Sequence, residues 1–126
     1  MRAICICSGA VLAWAIAAAA SAGDLFSANI QVPLTGARVF CQANNVGKKA
    51  GPVTVTIYNT DTGMVETTAA CADIQPIHAC LASTQGALSG GADAYCGVHT
   101  SLKVRAVIKT QSLADDSIIQ ALPLTK

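Results

Sequence analysis

The stretch PVTVTIY, residues 52–58, contains the clearest structural signal in the chain. Aliphatic side chains occupy every second position (Val53, Val55 and Ile57), and threonines and a tyrosine alternate with them. A period of two is typical of a β-strand that buries one face and exposes the other. The turn-forming residues 61–63 and a second extended segment, 64–70, come next, so this region predicts a β-hairpin.

Segments of the same character lie on both sides of this hairpin and are separated by turn signals. We predict strands at residues 37–43, 77–82, 95–100 and 103–110, with 29–34 and 118–122 as further candidates. No segment has a sustained helical stripe, and the best helix candidate, 114–120, is short. The chain therefore predicts an all-β fold, an antiparallel immunoglobulin-like (Greek-key) β-sandwich of about seven or eight strands.

The N-terminal segment has the layout of a secretory signal peptide. Arg2 supplies a positive start, residues 4–20 are almost wholly apolar, and the small residues 20–22 form a cleavage site. The apolar run is short for a membrane span, so cleavage is favoured over a retained anchor. We predict a signal peptide at 1–22, one domain at 23–126, and a secreted or periplasmic protein with no membrane insertion after cleavage.

Charge is balanced over residues 23–126. Arg2 is the only one of the chain's 8 basic residues outside this range, and all 7 acidic residues lie inside it. With both histidines neutral, the predicted domain has no net charge, which argues against nucleic acid or an anionic membrane as the main partner. The adjacent Lys48 and Lys49 are expected on a solvated loop.

Four cysteines remain after the predicted signal peptide is removed. An even number of cysteines in an exported chain indicates a disulfide framework. Of the possible connectivities we favour Cys41–Cys96 with Cys71–Cys80. The first pair would join an early and a late strand, as the inter-sheet disulfide of immunoglobulin-like domains does. The second pair flanks the predicted turn at 73–76.

Several short runs together carry a resemblance: CQANNVG at 41–47, the strand at 53–58, DTG at 61–63, AYC at 94–96 and VRA at 104–106. They resemble short exported bacterial proteins that consist of one immunoglobulin-like β-sandwich behind a signal peptide and have no assigned function. The resemblance covers most of residues 23–126 and implies a single sandwich. Antibody-type domains differ in two respects. They keep a core tryptophan, and they place a tyrosine two residues before the second cysteine, whereas Tyr95 directly precedes Cys96.

The stretch CGVH, residues 96–99, also suggests a metal site. It locally resembles the copper loop of cupredoxins, in which two histidines and one thiolate bind the metal. His78, Cys96 and His99 would be the ligands, although His78 is close in sequence and no methionine follows His99. A zinc site that adds Cys80 would leave the other two cysteines without these partners. We favour no metal and no cofactor, with copper binding as the alternative.

No constellation in the sequence predicts catalysis. Serine, histidine and aspartate all occur, but no serine lies in a nucleophile elbow. Asp115 and Asp116 are adjacent, which suits a solvated turn or a helix start better than a pair of acting carboxylates. The glycines at 90–91 lack the strand–loop–helix context of a phosphate cradle. We therefore predict that the protein is not an enzyme.

The favoured hypothesis is an exported non-catalytic module that binds a protein or glycan, or builds structure, at or outside the cell surface. Sandwiches commonly bind through their end loops, and the polar, glycine-rich loops 44–51 and 84–93 are the candidates here. Loops that only connect strands would have the same polar, glycine-rich composition. The residues singled out are Asn44, Asn45, Lys48, Lys49, Gly90 and Asp93.

A third hypothesis is an adhesin or pilus-like subunit. Such a subunit would exchange a strand with another copy through an unpaired sheet edge. Residues 29–34 and 118–122 are the candidate segments, and the sequence leaves the oligomeric state open.

Overall fold

The computed structural model describes residues 23–33, 36–84, 86, 88 and 93–126. The predicted signal peptide lies outside these residues. Nine strands form within them: β1 (Asp24–Phe26), β2 (Ile30–Gln31), β3 (Ala37–Asn45), β4 (Gly51–Asn59), β5 (Met64–Ile74), β6 (Ala79–Ser83), β7 (Asp93–Thr100), β8 (Val104–Ser112) and β9 (Ile118–Pro123). In the described ranges, no helix has the length and apolar character needed to span a bilayer.

The strands form two antiparallel sheets around a common core. Sheet A has the order β5-β4-β7, with β1 and β2 pairing with successive parts of β7. Sheet B has the order β6-β3-β8-β9. The predicted antiparallel β-sandwich is confirmed. One connection differs from immunoglobulin domains: β8 follows β7 in the chain but pairs with β3 in the other sheet.

β4 supplies the buried row that the alternating pattern predicted. Val53, Val55 and Ile57 are buried, and they belong to one core cluster with Val39 of β3 and Ile108 of β8. Full burial of such a side chain stabilises the fold by about 1.5–3 kcal/mol. The core is therefore aliphatic and is shared by the central strands of both sheets.

Two disulfides connect the sheets, and both pairs are the predicted ones. Cys41–Cys96 joins β3 to β7, with a sequence separation of 55 residues and a Cα–Cα distance of 6.3 Å. Cys71–Cys80 joins β5 to β6, with a separation of 9 residues and a Cα–Cα distance of 6.0 Å. The first lies in the buried centre of the sandwich, and the second links an edge strand of each sheet.

Two local predictions were wrong or incomplete. The helix candidate at 114–120 is a turn followed by the start of β9. The reason is local side-chain bonding: an Asp115 carboxylate oxygen accepts hydrogen bonds from the Ser117 amide (3.1 Å) and hydroxyl (2.7 Å), and Asp116 has a left-handed φ of 59°. Such bonds favour a turn over a helix. In addition, β1 was not predicted, because three residues are too few for a periodic signal.

The antiparallel connections bring the loops after β3, β5 and β7, and the segment after β9, to one end of the sandwich. We call this the lysine end; it comprises residues 46–50, 75–78, 101–103 and 124–126. Its loops bond to each other directly, because the Val46 amide donates to the Lys103 carbonyl at 3.0 Å.

The opposite end carries the turns that follow β4 and β8. We call it the aspartate end; it comprises residues 60–63 and 113–117. Its β4–β5 turn is tied to the start of β7, because the Thr60 amide donates to the Asp93 carbonyl at 2.9 Å.

Candidate functional site

Asn45 organises the lysine end. Its side chain is only 1% exposed, and its Nδ2 donates to the carbonyls of Lys49 (2.7 Å) and Ile74 (3.0 Å). Its Oδ1 accepts from the Gly47 amide at 3.0 Å. Because these partners lie in the β3–β4 loop and at the end of β5, one buried amide joins two connections.

The location predicted for Asn44 and Asn45 was wrong. Both residues belong to β3 rather than to the following loop, and both pair with β8. The Asn44 side chain accepts a hydrogen bond from Gln42 Nε2 at 2.8 Å, whereas Asn45 points into the interior. Alternation along the strand separates the two neighbours, so Asn45 supports the loop and is not a surface contact.

Two adjoining clefts lie between the loops of the lysine end. Each has a volume of about 460 Å³, and they share the wall formed by residues 101–103. The first is completed by residues 46–49, and the second by Gly23, Leu25, Val104 and Lys126. This size is within the range of small-molecule and peptide-anchor sites, of about 300–1,000 Å³.

Lysine side chains surround both clefts. Lys48, Lys49 and Lys103 line the first, Lys103 and Lys126 line the second, and no Asp or Glu is among the described residues that line either one. All four lysines are exposed, as predicted for Lys48 and Lys49. Val46 and Leu102 supply an apolar floor. Clustered charge of one sign attracts a partner of opposite charge, so the clefts favour an anionic group with an apolar part.

Ile77 projects from the lysine end in a strained conformation. It is 93% exposed and has a φ of 74°, a region that β-branched residues rarely adopt. Its amide donates to the Asn45 carbonyl at 2.9 Å, and the His78 amide donates to the Gln75 carbonyl at 3.0 Å. The turn is therefore anchored although its most apolar side chain faces solvent.

The other predicted loop residues lie at the aspartate end or outside the described residues. Gly90 is outside them, and Asp93 is the first residue of β7. The Asp93 amide donates to an Asp61 carboxylate oxygen at 3.2 Å. The two predicted binding loops therefore do not form one surface at the residues that the structure describes.

The copper and zinc hypotheses are contradicted by the disulfides. Cys96 is buried and bonded to Cys41, and Cys80 is bonded to Cys71, so neither offers a thiolate. Cys96 and His99 also face opposite sides of sheet A, as residues three apart in a strand must. His78 lies at the lysine end. Among the described residues, no group of three or more His, Cys, Asp and Glu side chains could hold a metal ion.

The outward residues of β7 form part of a surface that the sequence did not predict. His99 Nδ1 lies 2.6 Å from an Asp24 carboxylate oxygen, and the ring of Tyr95 stacks on that of Tyr58 with centroids 4.7 Å apart. Gly97 lies beneath Phe26, where a Cβ would come within 3.0 Å of the ring. The contacts of Asp24 and Phe26 attach β1 to the sheet, and the tyrosine stack joins β4 to β7. The alternation along β7 was the sequence signal for these outward residues.

The adjacent aspartates have structural partners in the β8–β9 turn. The Ser117 hydroxyl and amide donate to Asp115 and hold the pKa of its carboxyl below the usual value. Asp116 pairs with Arg38 at 3.4 Å. Both carboxylates therefore have structural partners. This agrees with the sequence-based interpretation of the pair as part of a solvated turn.

The chain matches no protein-family model and no curated protein. Solved structures that it resembles include Thermotoga maritima 1070, with a TM-score of 0.57 and 8% identity over 81% of this chain and 91% of that one. FLGD from P. aeruginosa matches with a TM-score of 0.35 and 17% identity, over 80% of this chain and 70% of that one. The first likeness concerns the fold alone, and the second is too low to carry an argument.

Proposed function

We propose that the protein is an exported, non-catalytic binding module that holds a carboxylate-bearing protein or glycan at its lysine end. The observation that carries this proposal is the pair of clefts rimmed by four lysines, with apolar side chains and no Asp or Glu among the described residues of the lining. The two disulfides support export, because such bonds persist in oxidising compartments.

The site binds through several weak contacts rather than one strong contact. An exposed lysine–carboxylate pair contributes about 0.2–1 kcal/mol, so useful affinity requires several pairs together with burial on the Val46 and Leu102 floor. Asn45 and the Cys71–Cys80 disulfide hold the loops in place before binding, which lowers the entropy lost on association. Binding is therefore expected to weaken as salt is added.

The test is titration of the protein with a poly-aspartate peptide and with a uronic-acid oligosaccharide, followed by calorimetry. Lys48→Glu/Lys49→Glu is expected to weaken binding by at least about tenfold, because two attractive pairs become repulsive. Arg105→Glu/Lys109→Glu is the matched control. It reverses the same charge on β8, outside both clefts, and is expected to bind within about threefold of the unmodified protein.

Equal loss of binding in both double variants would show that overall charge, not the clefts, attracts the ligand. Binding that is insensitive to salt, or no binding by either probe, would contradict the proposal outright. Thermal melts of each variant verify that the fold is retained.

A further inference from the structure

In the loops that the structure describes, the lysines lie at one end of the sandwich and the aspartates at the other. The described segments of the lysine end carry four lysines and no Asp or Glu, whereas those of the aspartate end carry three aspartates and no lysine or arginine. These residues are Lys48, Lys49, Lys103 and Lys126 at one end and Asp61, Asp115 and Asp116 at the other. Residues 23–126, whose basic and acidic side chains balance, therefore have one positive and one negative end.

Carboxylates in the strands beside the lysine end do not cancel this polarity. Asp24 of β1 and Asp73 of β5 reduce the positive charge at this end, but the four lysines outnumber them. At the aspartate end, Arg38 of β3 pairs with Asp116, and the three loop aspartates outnumber this one arginine. The ends keep opposite signs.

The backbone conformation and the exposure of Ile77 are unfavourable for the stability of the isolated fold. A residue with a φ of 74° is best a glycine or an asparagine, and a fully exposed side chain gains nothing from burial. Strained residues of this kind are concentrated at binding and functional sites. The exposure and the strain of Ile77 together indicate a side chain that is buried by a partner.

The aspartate end offers an apolar surface beside its carboxylates. Met64 directly follows the 60–63 turn and is 67% exposed, Leu113 is 44% exposed in the β8–β9 turn, and Ile118 just beyond that turn is 50% exposed. Each end therefore combines one sign of charge with exposed apolar side chains.

We infer that the partner of the lysine end is the aspartate end of a second copy of this chain. This inference rests on the proposed function and names its partner. In the contact, lysines 48, 49, 103 and 126 face the aspartates of the neighbour, and Ile77 packs against its exposed apolar residues. The contact joins two different surfaces. A pair of copies therefore keeps one free lysine end and one free aspartate end, and further copies add to these ends to form a linear assembly.

The first experiment is sedimentation equilibrium of the purified protein over a range of concentrations. At about 0.02 M salt the average mass is expected to rise with concentration, and at about 0.5 M salt it is expected to return to that of the monomer. A monomer at every concentration in low salt would overturn the inference. The proposed function would survive that result if the poly-aspartate peptide still bound at the lysine end, and would fail with it otherwise.

Two blocked variants test the direction of the contact. Lys48→Glu/Lys49→Glu blocks the lysine end, and Met64→Lys/Asp116→Asn blocks the aspartate end. Each alone is expected to be a monomer, and an equimolar mixture is expected to form dimers and nothing larger, because only one pair of complementary ends remains. No dimer in the mixture would overturn the head-to-tail arrangement.

Ile77→Asn separates recognition from folding. Asparagine tolerates the left-handed region, so the melting temperature is expected to rise while self-association weakens by at least about tenfold. Leu81→Asn is the control, since Leu81 is 47% exposed on β6 away from both ends and its replacement is expected to leave association unchanged. Unchanged association of Ile77→Asn would overturn the role of Ile77.

Discussion

The two ends of the sandwich use the same residue type to hold their connections. Asn45 ends β3 at the lysine end, and Asn59 ends β4 at the aspartate end; both side chains are buried. Asn59 Oδ1 accepts from the amides of Asp61 (3.0 Å) and Thr62 (3.2 Å), and its Nδ2 donates to a Glu66 carboxylate oxygen at 2.9 Å. A buried strand-end asparagine thus supports a charged loop in both places.

The ends differ in how far these bonds reach. The partners of Asn59 named above all lie within one hairpin, whereas Asn45 connects the β3–β4 loop to the end of β5. The Cys71–Cys80 disulfide lies on the same half as Asn45, since Cys71 is opposite Val53 and Cys80 is opposite Ala43. Asn45 therefore cross-links the two sheets at the lysine end, whereas the bonds of Asn59 named above support a single hairpin.

Of the substitutions that test the two ends, removal of a disulfide is expected to have the largest effect on stability. Cys41→Ala/Cys96→Ala is expected to lower the free energy of unfolding by about 4 kcal/mol and to weaken both ends, because it frees a long loop in the unfolded chain. Cys71→Ala/Cys80→Ala is expected to cost about 2–3 kcal/mol, because its loop is short. Urea denaturation measures both values.

Amide hydrogen exchange provides the local measurement for the same variants. Loss of Cys71–Cys80 is expected to speed exchange at 43–53 more than at 59–66, whereas loss of Cys41–Cys96 speeds both. Equal acceleration at the two ends in the Cys71→Ala/Cys80→Ala variant would contradict the proposed reinforcement of the lysine end.

Replacing the asparagines tests the two supports directly. Asn45→Ala is expected to cost about 2–3 kcal/mol, because it removes the side-chain partner of two carbonyls and one amide beside the buried strand end. Asn59→Ala is expected to cost about 1–2 kcal/mol, since water reaches the exposed turn amides that it leaves. Denaturant melts measure the free energy of unfolding of both variants. The control is Asn44→Ala, whose free energy of unfolding is expected within about 0.5 kcal/mol of that of the unmodified protein. A larger cost for Asn59→Ala would reverse the ranking of the ends.

The smallest expected effect concerns the backbone of the aspartate end. Gly63 has a φ of 73° in the β4–β5 turn, with open space where a Cβ would stand. Gly63→Ala is therefore expected to cost about 1 kcal/mol through conformation alone, measured as a lower melting temperature. Gly86 also has open space but no left-handed φ, so Gly86→Ala should leave stability unchanged or slightly higher.

Residues that act through local patterns were predictable. The alternation at 52–58 identified β4 and its buried face, because strand periodicity depends only on neighbouring residues. The even cysteine count and the spacing of Cys41 and Cys96 identified the disulfides. The three-residue strand β1 and the turn at 113–117 were missed, because the first depends on pairing with β7 and the second on side-chain bonds that override a weak helical pattern.

The candidate site was predicted only in part. Lys48 and Lys49 were expected on an exposed loop, and they are. Lys103, Lys126 and Leu102 were missed, because nothing in their separate segments indicates that the loops meet. The strand rule that places Cys96 and His99 on opposite faces was available from sequence, and it would have excluded the copper site without a structure.

The sequence by itself determined the β-strand pattern, the disulfide framework and the absence of net charge over residues 23–126, because each depends on composition or on short-range periodicity. Only the tertiary structure decided where the charges are. Antiparallel folding brings loops distant in sequence to the same end, so a balanced set of lysines and aspartates becomes two oppositely charged surfaces. The left-handed backbone of Ile77 was likewise decided by tertiary contacts, since its turn is held by hydrogen bonds to Asn45 at the end of β3.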